Sequence, residues 1–133
     1  MDLQAFVLLV FNARSETAAE KALFADGMKQ RRCLIPADSY FEWEHLGKKK
    51  QKYEITPNGS AGFCLAGIYR IEQGIAVFSI LTREPAESIS FIHDRMPVIL
   101  PTAAASDWLN PRYNGIEILK FAVLDMSYRP CDS

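Results

Sequence analysis

The sequence predicts an α+β domain built on a mainly antiparallel sheet, curled or barrel-like, with short peripheral helices. Three observations carry that expectation. Apolar runs of strand length recur along the chain: AFVLLVF at 5–11, Phe63 to Ile71 and Ile75 to Thr82. Tight turn signals separate them, at Pro36-Ala37-Asp38, Pro57-Asn58-Gly59 and Gly74, so consecutive strands return beside one another. Helical periodicity is confined to short windows between and after the strands, which places helices at the periphery of a sheet.

In order, AFVLLVF reads as a buried strand, with Asn12-Ala13-Arg14 following it. Thr17 with Glu20 forms a capping box, and Ala19, Leu23, Phe24 and Met28 supply an apolar helical stripe ending near Arg31 and Arg32. Cys33 to His45 reads as strand, turn, strand. Gly47 among lysines marks the next turn, and Gln51 to Thr56 alternates as an exposed strand. After the pair at 63–71 and 75–82, a short helix is expected over Glu84 to Ile89 and a strand over Met96 to Leu100. A helix capped by Thr102 runs to Leu109, and another spans Tyr113 to Phe121. Ala122 to Met126 has no clear pattern. Trp108 reads as core.

With 133 residues, 49% hydrophobic and 23% charged, the chain has the length and balance of one ordinary globular domain, 1–133. No apolar run approaches the ~20 residues that cross a bilayer, and Leu3 to Phe11 lacks the flanks of a signal peptide, so the expectation is a cytoplasmic protein with no membrane partner. Cys33, Cys64 and Cys131 are too far apart for a zinc pattern or a disulfide framework, so no metal and no cofactor is expected. A net charge of -1 means that any nucleic acid must be held by a local basic surface.

Three polar clusters sit where an apolar strand meets a loop: Asn12-Ala13-Arg14, Glu42 within SYFEW, and His93-Asp94-Arg95. His93 offers an imidazole for proton transfer, with Arg95 in place to hold a phosphate. Spacing alone favours the plainer alternative, a turn-capping histidine and an Arg95 paired with Asp94. Glu42 should face away from Phe41 and Trp43, where a half-buried carboxylate would serve as general acid or base. A solvated glutamate on an edge strand fits equally well. Asn12 bonding its own turn is the simpler reading of the first cluster. Arg14, Arg31, Arg32, the Lys48 to Lys50 run and Trp43 interleave cations with an aromatic, as single-strand binders do, although a lysine run is more often a solvated hairpin tip.

Taken in order, NARSETAAEKALFADGMKQRRCLIPADSYFEW and LTREPAESISFIHDRMPVILP resemble the two most recognisable stretches of the SOS response-associated peptidase (SRAP) family. The resemblance covers residues 12 to about 109 and only weakly the remainder. It implies a DNA-damage protein that binds single-stranded DNA and traps an abasic site. In the family, the open-chain sugar aldehyde reacts with a cysteine made amino-terminal by loss of the initiator methionine, and amine and thiol close a thiazolidine. An autopeptidase activity has also been suggested for the family. The resemblance makes Asn12, Glu42 and His93 the catalytic set, and Arg14, Arg95 and Trp43 the DNA contacts.

The sequence departs from the family at its front. Members open Met-Cys-Gly-Arg and run several tens of residues before the Asn-Ala-Arg segment; here Met1-Asp2-Leu3 stands eleven positions or fewer ahead of Asn12. The expectation is therefore an SRAP-like domain lacking its amino-terminal part, without a stable crosslink, and with open sheet edges that favour self-association. Two alternatives stand beside it. One is a non-catalytic single-stranded DNA-binding or interaction protein derived from the fold. The other is a hydrolase using Ser15, Ser39 or Ser79, none of which lies in a nucleophile-elbow pattern.

Overall fold

Gln73 and Gly74 both take positive φ, 50° and 79°, in the two-residue turn joining β5 (Phe63–Glu72) to β6 (Ile75–Arg83). Two left-handed residues match the twist of the flanking strands, and Glu72 pairs with Ile75 directly across the turn. Around this hairpin a computed structural model describes residues 9–59 and 61–132. β2 (Arg32–Ala37) lies antiparallel to β5, and β1 (Leu9–Arg14) runs parallel to β6 with Arg14 opposite Thr82. The order is β1-β6-β5-β2.

The β5–β6 pairing stops at Gly67 and Ile80. Beyond that point the strands fork, and the segment after His93 fills the gap. β7 (Met96–Pro97) pairs with β6, and β8 (Ile99–Leu100) pairs with β5. Val98 joins them, donating to Leu81 O at 2.8 Å while its carbonyl accepts from Ala66 N at 2.9 Å. The expected single strand over 96–100 is thus two short ones serving different neighbours. The fork curls the sheet into a half-barrel.

A second sheet has the order β3-β4-β9 and is antiparallel throughout. β3 (Tyr40–Leu46) and β4 (Lys49–Pro57) turn at Gly47, whose φ of 65° only glycine takes without strain. β9 (Met126–Cys131) completes it, starting at the end of the unpatterned 122–126 segment; Pro130 is tolerated because, among the described residues, β9 pairs only with β4.

Alternation along the large sheet feeds two cores. Ala66, Ile68, Leu81, Val98 and Leu100 face the helices around fully buried Trp108, whereas Leu65, Met96, Ile99 and half-buried Ile80 face Ile55 and Met126 of the small sheet. The helices are α1 (Ala25–Gln30), α2 (Thr102–Trp108) and α3 (Gly115–Leu119). Trp108 does belong to the core, and its indole N–H donates to Cys33 O at 2.9 Å.

Several boundaries differ from the sequence reading. The first strand runs through Asn12, Ala13 and Arg14, while positions 5–8 lie outside the described residues. No capping box forms at Thr17. Residues 15–24 wind in separate turns, and α1 begins at Ala25 with no side-chain cap. Docking overrides local propensity there: Ser15 N–H donates to Thr82 O at 2.8 Å, and Ala18 is buried in the helical core. Glu87–Ile89 forms only a 3₁₀ turn, Thr102 starts α2 without capping it, and Asn114 caps a shorter α3 by accepting from Ile116 N.

Candidate active site

Glu42 reaches the site by strand alternation. Phe41 and Trp43 are exposed on the outer face of the small sheet, and Glu42 and Glu44 are half-buried on the inner one. His93 comes from the loop entering the fork. Its Nδ1 lies 4.0 Å from Glu42 Oε2, with the two side chains 39% and 30% exposed, so both can meet solvent and a ligand. Burial and the neighbouring Glu42 carboxylate push the Tyr40 phenol up from its ordinary range.

The turn after His93 fixes its ring. Arg95 N–H donates to His93 Nδ1 at 3.1 Å, and Arg95 O lies 3.3 Å from the same nitrogen. A neutral imidazole accepting at Nδ1 carries its proton on Nε2, which leaves that N–H for a ligand. The exposed Asp94 carboxylate, 3.3 Å from Nδ1, is a second negative neighbour of the ring.

Asn12 and Arg14 lie two residues apart on β1, hence on one face of it, and both are exposed. Arg14 stands opposite Thr82, whose hydroxyl accepts from Arg95. Arg95 does not pair with Asp94, the plainer expectation from spacing. Its guanidinium grips Glu16 through two bonds of 2.7 Å and holds that carboxyl at about 2, against an ordinary value of 4.5. The nearby Arg14 charge lowers it further.

Comparison with other proteins decides the family. The SOS response associated peptidase (SRAP) family matches residues 3–128. This chain belongs to the SRAP family. The abasic site processing protein YoaM of Bacillus subtilis is 40% identical over 121 residues, covering 86% of this chain and 53% of the relative. The abasic site processing protein YedK of Escherichia coli is 34% identical over 117 residues, with coverage of 85% and 53%. A solved structure of a protein from Bacteroides thetaiotaomicron superimposes with a TM-score of 0.81 at 31% identity, over 91% of this chain and 58% of that one. The chain spans about half the length of the curated relatives it matches.

Within this SRAP chain, Glu42 and His93 meet across the two sheets, and Arg14 and Arg95 converge on Thr82 and Glu16. Trp43 faces the opposite side of β3 from Glu42, where the Lys52 ammonium lies 5.6 Å from its ring centroid and 4.6 Å from that of Phe41. Glu16 and Thr82 were invisible in the sequence, since Glu16 meets its partner 79 positions away. An aromatic cluster borders the site as well. Tyr53, the cross-strand partner of Glu42, packs edge-on to Phe91 and Tyr128 at 5.5 and 5.6 Å. Its parts lie on three separate segments. Burial pushes the Cys33 thiol up to about 11, the behaviour of a structural cysteine, and Cys131 is half-buried against β4. Among the described residues, no helix is long and apolar enough to cross a membrane.

Proposed function

We propose that this chain binds single-stranded DNA carrying abasic sites and works on the exposed sugar through Glu42 and His93. The observation that carries this reading is the 4.0 Å approach of imidazole and carboxylate at the rim where the two sheets meet. An abasic deoxyribose is mostly a closed hemiacetal. Opening it requires removal of the C1 hydroxyl proton and delivery of a proton to the ring oxygen as the C1–O4′ bond breaks. A neutral His93 with Nε2–H and an adjacent carboxylate supply one donor and one acceptor for that exchange. Asn12 would orient the sugar, and the exposed Arg14 would grip a flanking phosphate. Because β3 is an edge strand, a DNA strand crossing that edge meets Glu42 on one side and Trp43 on the other.

The family relationship supports the substrate, since relatives sharing 34–40% identity are named abasic site processing proteins. We propose that this acid–base handling of the sugar takes place in the cytoplasm. The outer edges of β1 and β3 pair with no strand among the described residues, which supports self-association; light scattering across a dilution series reads it directly.

The test is capture of the open aldehyde by methoxyamine on abasic single-stranded DNA. The protein should accelerate oxime formation, Glu42→Gln and His93→Ala should abolish the acceleration, and fluorescence anisotropy should show that both still bind. Acceleration retained in both variants would sink the reading. The alternative, a purely DNA-binding protein, predicts salt-dependent affinity with no acceleration in any form.

A further inference from the structure

The Arg95 guanidinium has five N–H groups, and four are committed inside the protein. Nη1 donates to Glu16 Oε2 and Nη2 to Glu16 Oε1, both at 2.7 Å; Nη2 and Nε also donate to Thr82 Oγ1, at 3.1 and 3.3 Å. Among the described residues, only one N–H, on Nη1, is left for a ligand. The arginine assigned to DNA is thus first a structural hinge between three segments: the turn after β1, the end of β6 and the loop bearing His93.

Both anchors are well placed. Ser15 N–H donating to Thr82 O lays the turn against β6, which delivers the Glu16 carboxylate to the fork. The Thr82 side chain is buried on the face that Arg14 shares. A planar guanidinium held by a carboxylate on one edge and a hydroxyl on the other has little rotational freedom. Its main chain is correspondingly fixed, and that main chain presents both the N–H and the C=O of Arg95 to His93 Nδ1, at 3.1 and 3.3 Å. A small rotation of this one peptide segment would exchange a donor for an acceptor at Nδ1, and so exchange the tautomer.

We propose that Glu16 is a positioning residue for His93. By clamping the Arg95 side chain against Thr82, it holds the Arg95 N–H on His93 Nδ1 and keeps the ring proton on Nε2, where the sugar would receive it. The proposal deepens the reading of His93 as the acid–base group and rests on it for its functional meaning. The Glu16–Arg95 pair is partly solvent-exposed, 43% on the glutamate side, so it adds little to stability, and its effect on His93 is separable from folding.

The decisive measurement needs no DNA. In the ¹⁵N-labelled chain, long-range ¹H–¹⁵N spectra report the Nδ1–H to Nε2–H ratio of each imidazole, and exposed His45, the other of the two histidines, serves as internal reference. Wild type should show His93 strongly biased to Nε2–H. Glu16→Gln and Thr82→Val should each move that ratio about three- to tenfold towards equal mixing, the size expected from weakening one hydrogen bond. Glu16→Asp should fall between, and His45 should not move. The melting temperature of Glu16→Gln should stay within about 5 °C of wild type. An unchanged His93 ratio in Glu16→Gln and Thr82→Val would overturn the proposal, as would a larger loss of melting temperature, which would make the pair a structural bolt. In the methoxyamine assay, Glu16→Gln should slow capture about three- to tenfold with unchanged DNA affinity. A wild type that fails to accelerate capture while the tautomer result holds would defeat the proposed function and leave the positioning role standing.

Discussion

The two faces of the large sheet each hold an arginine, and the two are satisfied in opposite ways. Arg32, on the helix-covered face, is 9% exposed and has no carboxylate partner among the described residues. It donates to the carbonyl oxygens of Trp108, Met28, Asn110 and Tyr113 and lies 4.9 Å from the Trp108 ring centroid. Its burial lowers its pKa. Arg95, on the face towards the small sheet, meets a carboxylate through paired bonds, which raise its pKa. A buried cation ringed by main-chain carbonyls ties helix ends to a strand and cannot give way without leaving those carbonyls orphaned. A rim cation paired with a half-exposed glutamate leaves its surroundings open to solvent. One face is closed around its cation, and the other leaves its polar groups at the surface.

That contrast can be broken at its strongest point first. Arg32→Met should lower stability in urea unfolding by about 3 kcal/mol or more, because several carbonyls lose their donor at once. Arg32→Lys should recover little, since an ammonium cannot span that set. A loss below about 1 kcal/mol for Arg32→Met would erase the distinction between the two faces. Gly115→Ala should follow. An added Cβ would stand 2.7 Å from Arg32 Nη1 and 3.1 Å from Trp108 Cζ3, so overpacking should cost about 1–3 kcal/mol in the same assay.

On the open face the stability effects should be smaller and depend on pH. Glu16 titrates at about 2 in the folded protein against an ordinary 4.5. A lowered carboxyl contributes stability that is complete above about 4.5 and disappears as pH falls through about 2. Solvent screening limits the amplitude to about 1 kcal/mol or less. Urea midpoints measured from pH 6 down to 2 should therefore fall less steeply in Glu16→Gln than in wild type, and parallel curves would refute the assignment. Smallest of all, Glu42→Gln and Trp43→Ala should change stability by no more than about 0.5 kcal/mol. If Trp43 stacks on a base, Trp43→Ala should weaken binding to single-stranded DNA by about fivefold or more in anisotropy. Unchanged affinity would confine DNA to the Glu42 side of β3.

Legibility in the sequence followed the range of the interactions concerned. The alternation that turns Glu42 away from Phe41 and Trp43, the turns at Gly47 and Gly74, and Trp108 as core were all readable, because each depends on neighbours within a few residues. The helix expected from Thr17 failed because docking of Ser15 and Ala18 outweighed a local cap. β9 had no signal because its register comes entirely from β4.

The sequence by itself determined the family, the α+β class and the candidates Asn12, Arg14, Glu42, Trp43, His93 and Arg95, since periodicity, turn chemistry and motif order are properties of short stretches of chain. Tertiary structure alone decided that His93 faces Glu42, that Arg95 takes Glu16 rather than Asp94, and that Trp43 looks the other way. Those facts depend on where the fork in the large sheet brings distant segments together. A side chain's spacing along the chain says which groups it resembles, but its partners are set by which segments the packed cores bring within reach.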